Sequence, residues 1–342
     1  MAKSKSDDGT KGLYLVTCCT STRTEPPKVR CADMGTGLTM QSALERWLEL
    51  LGNHDVSVTP PQLYRGVGFH TVTKIADIIG QNNVRVLTGG QGLLSLDTKF
   101  VPYDFTSNKN HPGNILDVVT EEPFVIPLWW NMINKALRGT PTPVADLLDA
   151  KGTKLVVIAL NKFFMKYLQD DMLTAQNIDK LRIVVVGKSR SHVPTQLRQQ
   201  VLQVDKQSIS GTVGNRNDIS HRAALLFIRK VALGEVDVGA SVEQHQGILG
   251  NLSPGPTEHL TQLTPKEVLQ RAPDLLEFDS LDQAYQEARR RYGTIGGIIA
   301  FRAAWHTSKG QDLVVTKTET KAAKAALSAI EMTNLYTQLD GK

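Results

Sequence analysis

Three short segments carry residue types that suit ligand binding and chemistry. Tyr64 lies in an aromatic and glycine-containing stretch, and a Gly-Gly-Gln-Gly cluster at 89–92 follows an apolar run. Glycine allows positive φ and a close approach of the backbone to a ligand, so a strand that ends in this cluster is a natural floor for a pocket. Pro102 precedes a Tyr103–Asp104 pair that we expect to be exposed. The pattern predicts that the Asp104 carboxylate faces the pocket.

Asp104 is the first candidate for a catalytic group. A carboxylate beside a pocket can stabilise positive charge on a sugar or orient a water molecule. The alternative is purely structural, because aspartate also caps turns well. Asp33 and Glu25, in the loop region after the first apolar run, are the fallback carboxylates.

Asn161 is the second candidate, because it directly follows the most apolar run of the chain. At the end of a buried strand its amide could read the edge of a base or hold a water molecule. Asparagine is equally suited to cap the helix that the next residues predict. Both interpretations remain open at this stage.

Two groups of basic residues lie in loops that follow apolar or glycine-rich segments. Such groups can track the phosphate backbone of a nucleic acid, although a solvated charged surface has the same composition. The first group is Lys188, Arg190, His192 and Arg198, and the second is Arg216, His221 and Arg222.

Predominantly apolar runs, interrupted only by Arg85 and Arg182 among charged residues, alternate with segments of helical spacing along the first two thirds of the chain. The runs at 13–17, 84–87, 155–160 and 181–187 predict strands that are buried on both faces. Strands of this kind that alternate with helices indicate an α/β fold with a mostly parallel sheet covered by helices. The polar residues that follow each strand should then gather at one edge of the sheet.

At 342 residues the chain is long for one compact core, so we expect more than one unit. Residues 1–11 are predicted to be a disordered leader, and 12–246 an α/β domain that carries the candidate site residues. A Gly-, Pro- and Ser-containing linker should span 247–264. Residues 265–342, with helical segments at 280–292 and 321–337, form a small, mainly α unit.

The composition excludes several classes of protein. Apolar residues make up 41% and charged residues 21%, which is ordinary for a folded chain, and the net charge of +5 is compatible with a polyanionic partner. No apolar run is long enough for a membrane span, the N-terminus lacks a secretory signal, and three cysteines cannot build a disulfide framework. Phosphate-loop, dinucleotide-binding and zinc motifs are also missing from the sequence. We therefore expect a cytoplasmic protein without a metal or cofactor.

Four motifs in a fixed order give the chain a resemblance to a known family. They are Tyr64-Arg65-Gly66 with Phe69, the stretch from Leu87 to Leu94, Pro102-Tyr103-Asp104, and the stretch from Ile158 to Phe163. In this order they resemble the YaaA-like superfamily over roughly residues 12 to 190. Gln91 stands where an aromatic residue is usual, Phe163 replaces a tyrosine, and Asn161 is the one asparagine retained of two.

The resemblance implies DNA binding, and it extends to prokaryotic anti-phage DNA glycosylases that act on bulky modified bases. It carries over Asp104 and Asn161 as pocket residues. Our hypothesis is a three-layer α/β/α domain similar to uracil-DNA glycosylase, in which Asp104 and Asn161 are the catalytic residues. The base pocket would contain Tyr64, Gly90, Gln91 and Tyr103. A flipped base in double-stranded DNA would stack on the two tyrosines, and the basic loops would clamp phosphates.

Two other functions remain open on the sequence alone. One is a DNA-binding protein without chemistry, which protects or organises DNA under stress. The other is an enzyme that processes free nucleotides or nucleosides. The sequence leaves open the oligomeric state, the base that is recognised and the role of the C-terminal unit.

Overall fold

The chain divides into two units, Met1–Thr257 and Glu258–Lys342, each with its own apolar core. The helix that ends at Gly250 occupies the first residues of the predicted linker, so a linker can begin only after it. The carbonyl of Thr10 accepts a hydrogen bond from Leu13 N–H at 3.0 Å, and Thr10 is buried, so the end of the predicted leader belongs to the fold. The computed structural model describes residues 9–20, 23–109, 111, 113–186, 190, 192–204, 218–250, 265–292 and 298–309.

The larger unit is built on a six-stranded sheet. Its strands are β1 (Leu13–Cys18), β3 (Val84–Thr88), β4 (Gly92–Ser95), β6 (Leu155–Ile158), β7 (Leu181–Val186) and β8 (Val201–Val204). A separate pair is formed by β2 (Val29–Arg30) and β5 (Tyr103–Asp104). The four strands predicted from apolar runs are confirmed, whereas β4, β8 and the β2–β5 pair are additional.

The strand order in the sheet is β4-β3-β1-β6-β7-β8, and every pairing is parallel except that of β3 with β4. From β1 the chain moves to one side to form β3 and then crosses to the other side to form β6. This reversal makes the carboxyl ends of β1 and β6 the topological switch point of the sheet. Doubly wound sheets bind their ligands in the crevice at that point.

Helices flank the sheet, as the continuous burial of its inner strands requires. Helix α3 (Val67–Ile79) packs against α7 (Ile219–Ala232), and α4 (Ile126–Arg138) and α5 (Pro143–Asp149) pack against α6 (Lys162–Leu173). The arrangement is compatible with three α/β/α layers. The helices of the larger unit are α1 (Met40–Gly52), α2 (Pro60–Leu63), α3 (Val67–Ile79), α4 (Ile126–Arg138), α5 (Pro143–Asp149), α6 (Lys162–Leu173), α7 (Ile219–Ala232) and α8 (Val242–Gly250).

The smaller unit is helical within the residues that are described. It contains α9 (Pro265–Arg271), α10 (Leu281–Tyr292) and α11 (Ile298–Ser308) around Phe301 and Trp305. Pro265 stands at the first position of its helix, where its missing N–H and fixed φ are tolerated. The predicted helix at 321–337 lies outside the described residues.

Candidate functional site

The carboxyl ends of the parallel strands bring several chemistry-bearing residues to one edge of the sheet. Cys19 follows β1, Gly89 follows β3, and Asn161 follows β6 after two residues. The backbone ties these ends together, because Cys19 N–H donates to Leu87 O at 3.0 Å and Ala159 N–H donates to Val16 O at 2.9 Å. Cys19 and Asn161 therefore lie at one edge of the sheet, as predicted, whereas the residue that follows β3 is a glycine.

The two tyrosines assigned to the base pocket are core residues. Tyr64 and Tyr103 are each only 2% exposed. Tyr64 stacks on Phe100 with a centroid separation of 5.8 Å, and Trp47 meets Tyr103 edge-on at 5.9 Å. The expectation of an exposed Tyr103 and of a stacking platform made from both rings is therefore wrong, because other aromatic side chains already cover them.

Gly90 does not line an open pocket either. Its carbonyl accepts a hydrogen bond from Trp47 Nε1 at 2.6 Å. A Cβ on Gly90 would stand 2.8 Å from Tyr103 and 2.9 Å from Trp47, so aromatic side chains occupy the space that the sequence assigned to a ligand. The absence of a side chain serves close packing here, and the pocket-floor prediction is corrected.

Gln91 holds the turn between β3 and β4 rather than a ligand. It is buried, its Nε2 donates to Val101 O at 2.7 Å, and its own carbonyl accepts from Arg138 at 2.9 Å. Gly92 follows with a φ of +73°, and its missing Cβ leaves room for Asn134. Gln91 and Gly92 thus have structural reasons for their identities.

One half-buried thiol and two buried phenols lie together next to the end of β1, and we refer to Cys19, Tyr64 and Tyr103 as the thiol–phenol cluster. Gly89 N–H and the Tyr64 hydroxyl are within hydrogen-bonding reach of the Cys19 sulfur. Burial raises the pKa of Cys19 to about 11, although the nearby Arg23 guanidinium opposes this rise. Burial likewise raises the pKa of both tyrosines. All three groups therefore keep their protons at neutral pH.

Asp104 lies at the outer side of this cluster and is partly exposed. Its Oδ1 is 3.5 Å from Arg23 Nη1, and the guanidinium carbon of Arg23 is 5.7 Å from the centre of the Tyr103 ring. His111 Nδ1 is 4.0 Å from Asp104 Oδ2, but that nitrogen accepts a hydrogen bond from Gly113 N–H. The ion pair with Arg23 therefore fixes the carboxylate, and the imidazole is a neighbour that can donate no proton from Nδ1.

Asn161 caps helix α6. Its Oδ1 accepts hydrogen bonds from Phe163 N–H at 2.9 Å and Phe164 N–H at 3.1 Å, so the capping interpretation is confirmed. Its backbone N–H is within hydrogen-bonding reach of the Cys18 sulfur. Asn161 therefore borders the end of β1, whereas Asp104 pairs with Arg23, whose guanidinium is close enough to Cys19 to oppose the rise of its pKa.

A cavity of about 160 Å³ opens beside Asn161, and we call it the β6–β7 cavity. Its polar rim contains Asn161, Lys162, His192 and Ser220, and the rest of its lining is apolar: Leu160, Met165, Val184, Val185, Val186, Val193 and Ile219. Burial and the charge of Lys162 lower the pKa of His192, so the ring is neutral at pH 7. A shallower groove shares His192 and extends to Arg198.

The predicted phosphate-binding residues divide into three sets. Arg190 donates a hydrogen bond to Arg198 O at 3.3 Å, and Arg198 donates one to Val193 O at 3.2 Å. Both arginines lie near His192 in the chain. Arg222 is buried and pairs with Asp218 at 3.2 Å, so its assignment as a DNA contact is wrong. Lys188 and Arg216 lie outside the described residues.

The fallback carboxylates have simpler surroundings. Asp33 Oδ2 accepts a hydrogen bond from Arg30 N–H at 2.8 Å, which caps a short helical turn. Both Asp33 and Glu25 are exposed. Asp104 is the one of the three candidates that an arginine fixes next to the switch point.

His221 is a structural residue that the sequence placed among the basic contacts. It is 4% exposed, and its Nε2 is 2.6 Å from the Thr17 hydroxyl near the end of β1. The helical spacing of α7 turns it toward the sheet, where burial lowers its pKa to about 4. The imidazole is therefore neutral and links α7 to β1 instead of binding phosphate.

The burial of His221 predicts a pH-dependent stability. Its pKa is about 4 in the folded chain and 6.5 when solvated, so the unfolded chain binds the proton more readily between these values. When the pH falls from about 7 to about 5, we expect the protonation of His221 in the unfolded chain to lower the free energy of unfolding by about 2 kcal/mol. Denaturant titrations of the wild type and of His221→Gln at both pH values measure the difference. Equal losses in the two proteins would contradict the prediction, even though other histidines contribute to the wild-type slope.

Gly90→Ala should destabilise the fold by about 1–3 kcal/mol, because the new methyl group would overlap Trp47 and Tyr103. Gly247→Ala is the matched control, since that exposed glycine lies within α8 with open space around it. The control should stabilise by about 0.5–1 kcal/mol through reduced backbone entropy. Urea titration of both variants measures the two effects. If Gly90→Ala is as stable as the wild type, Trp47 and Tyr103 must shift to make room for the methyl group, and the prediction is wrong.

None of the helices within the described residues is both long and apolar enough to cross a membrane. The same residues contain no group of three or more His, Cys, Asp or Glu side chains placed to hold a metal ion. Comparison of the chain with protein-family models, with curated proteins and with solved structures gives no match in any of the three. Functional inference therefore rests on the residues of the site.

Proposed function

We propose that the protein is a DNA glycosylase, which flips a modified base out of the duplex and cleaves its N-glycosidic bond. The observation that carries the proposal is the environment of Asp104: a partly exposed carboxylate held by Arg23, whose guanidinium also acts on Cys19, the residue that directly follows β1. Asn161 borders the end of the same strand. A sugar above this end would lie between the two residues.

The reaction needs a negative group near the sugar. As the C1′–N bond breaks, its electron pair leaves with the base and positive charge develops on the deoxyribose. The Asp104 carboxylate would stabilise that charge electrostatically and orient the water that adds to C1′. The added water loses one proton and the departing base gains one, which leaves an abasic site. Arg23 would hold the carboxylate in place, so that little reorganisation is needed in the transition state.

Nearby donors support a nucleotide as the ligand. The carbonyl oxygen of Asn161 is occupied by its helix, so its amide nitrogen is the part that can bind a ligand. Lys162 and His192 border the adjoining cavity, and Arg198 lies along the groove beyond it. These cationic and N–H groups suit phosphate and carbonyl oxygens of a DNA strand. We place the proposed architecture close to that of uracil-DNA glycosylase, and anti-phage defence would supply the modified substrate.

Mass spectrometry of released small molecules tests the proposal directly. The purified protein is incubated with ordinary DNA and with heavily modified phage DNA, and the supernatant is analysed for free bases. The proposal requires release of a modified base together with abasic sites in the DNA. Tight, salt-sensitive binding without any release would instead favour a protein that binds DNA without chemistry.

A second candidate function is an enzyme of free nucleotides or nucleosides. The β6–β7 cavity favours it, since about 160 Å³ accommodates the base of a free nucleoside without requiring a duplex. Differential scanning fluorimetry with nucleotides and with DNA separates the two functions. A rise in melting temperature with nucleotides but not with DNA would select the second candidate.

A further inference from the structure

We infer that the β6–β7 cavity is a binding subsite for a single pyrimidine-type ring that carries two carbonyl groups. The inference deepens the proposed function, on which it rests for taking the ring to be a nucleobase. It differs from the sequence-based pocket, because neither tyrosine nor Gly90 contributes to it. Size, lining and hydrogen-bonding capacity each point to this ligand.

The size of the cavity selects one ring. Its volume is about 160 Å³. Cavities of roughly 150 Å³ inside proteins accept benzene, whereas drug-sized ligands need about 300 Å³ or more. A six-membered heterocycle therefore fits inside, and a whole nucleotide would leave its sugar and phosphate outside.

The lining supplies apolar surfaces for the faces of a ring. Val184, Val185 and Val186 come from β7, and Met165 comes from α6, and all four side chains are buried. Such walls bind an aromatic face by exclusion of water and by dispersion contacts. They offer nothing to the polar edge of the ring, which must face the rim.

Among the side chains of the rim that the structure describes, donors outnumber acceptors. Lys162 can only donate, and Asn161 presents its amide nitrogen because its oxygen caps α6. The Ser220 hydroxyl and the neutral His192 ring add groups that can donate as well as accept. Donors of this kind match the two carbonyl oxygens of uracil or thymine better than the exocyclic amino group of cytosine, which is itself a donor.

Titration of the full-length protein with free thymine and free cytosine, followed by ¹⁵N–¹H NMR, tests the subsite. We expect saturable shifts of the Asn161 and Ser220 amides with thymine, and at least about tenfold weaker binding of cytosine because its amino group replaces one acceptor. Equal binding of the two bases, or no shifts with either, would overturn the inference. Shifts of the same amides by inorganic phosphate, with none by thymine, would show an anion site instead.

A pair of lysine variants on the same helix supplies the matched control. Lys162→Met should weaken thymine binding by about tenfold, because it removes a charged donor from the rim. Lys166→Met changes an exposed lysine one turn further along α6 that does not line the cavity, and it should bind thymine as the wild type does. Equal effects of the two variants would contradict the assignment. Because lysine at both positions is exposed, both variants should fold.

The outcome is separable from that of the proposed function. Thymine binding in a protein that releases no base from DNA would leave the subsite standing and remove the glycosylase activity. Base release from DNA without any binding of free thymine to the cavity would support the glycosylase activity and overturn the subsite. Val184→Phe adds a further check, since the larger side chain should fill the cavity and abolish the thymine shifts while the remaining spectrum reports the fold.

Discussion

Asp104→Asn should lower the rate of base release by a factor of about 10²–10³, while DNA affinity changes little. The substitution keeps the size of the side chain and removes the charge that would face the developing cation on the sugar. Loss of one preorganised electrostatic group in an active site has effects of this order. Because Asp104 is partly exposed and its ion pair is near the surface, the fold should tolerate the change.

The measurement is single-turnover release of free base, with DNA binding followed by fluorescence anisotropy at one salt concentration. Asp33→Asn is the matched control, since it neutralises an exposed aspartate that caps a short turn. It should release base at the wild-type rate. Undiminished base release by Asp104→Asn would show that Asp104 is not the catalytic carboxylate. Loss of base release in Asp33→Asn or Glu25→Gln would assign the catalytic role to that carboxylate instead.

The parallel strands could be predicted because local sequence determines them. Apart from Arg182, strands β6 and β7 consist of apolar and mostly β-branched residues, a composition typical of strands that are covered on both faces. Strand β4 escaped prediction because it lies within the Gly-Gly-Gln-Gly stretch and just after it, where glycine signals a turn more strongly than a strand. Its antiparallel pairing with β3 depends on that turn, not on an apolar period.

The predicted base pocket failed for a reason that no local pattern contains. Residues distant in sequence fill the space above the glycines: Trp47 donates to Gly90 O at 2.6 Å, and Trp129 donates to Gly89 O at 2.9 Å. A glycine cluster has the same sequence whether a ligand or an indole approaches it. Only the tertiary packing of α1 and α4 distinguishes the two cases.

The burial of His221 and Arg222, which the sequence analysis assigned to a basic surface, could have been predicted from local sequence. Both residues begin a helix whose following residues are apolar, which places part of its first turn toward the core. Arg23, by contrast, carried no signal in the sequence. Its contacts with Asp104 and with the Tyr103 ring arise because the β2–β5 pair brings two distant segments together.

Asp171→Ala should destabilise the larger unit by about 3–5 kcal/mol, the largest effect on stability that we expect of a single side chain. Asp171 lies on α6 and is fully buried. Its carboxylate accepts hydrogen bonds from Trp130 Nε1 at 2.9 Å, Val144 N–H at 3.2 Å and Ala145 N–H at 2.9 Å. It thereby caps the amino end of α5, where the residue preceding the helix makes no side-chain cap of its own. Alanine would leave all three donors buried without a partner.

Urea denaturation of Asp171→Ala, Asp171→Asn and Asp170→Ala measures the effect and its cause. Burial raises the pKa of Asp171 to about 6, so above that pH the group is the carboxylate that accepts all three bonds. Asparagine offers one acceptor oxygen and an NH₂ group that must face a donor, so its cost should be about 1–3 kcal/mol, between wild type and alanine. The exposed neighbour Asp170 is the control, and its replacement should change the free energy of unfolding by no more than about 0.5 kcal/mol. If Asp171→Ala is no more costly than Asp170→Ala, the carboxylate does not hold α5 in place, and the amino end of that helix must be satisfied by water.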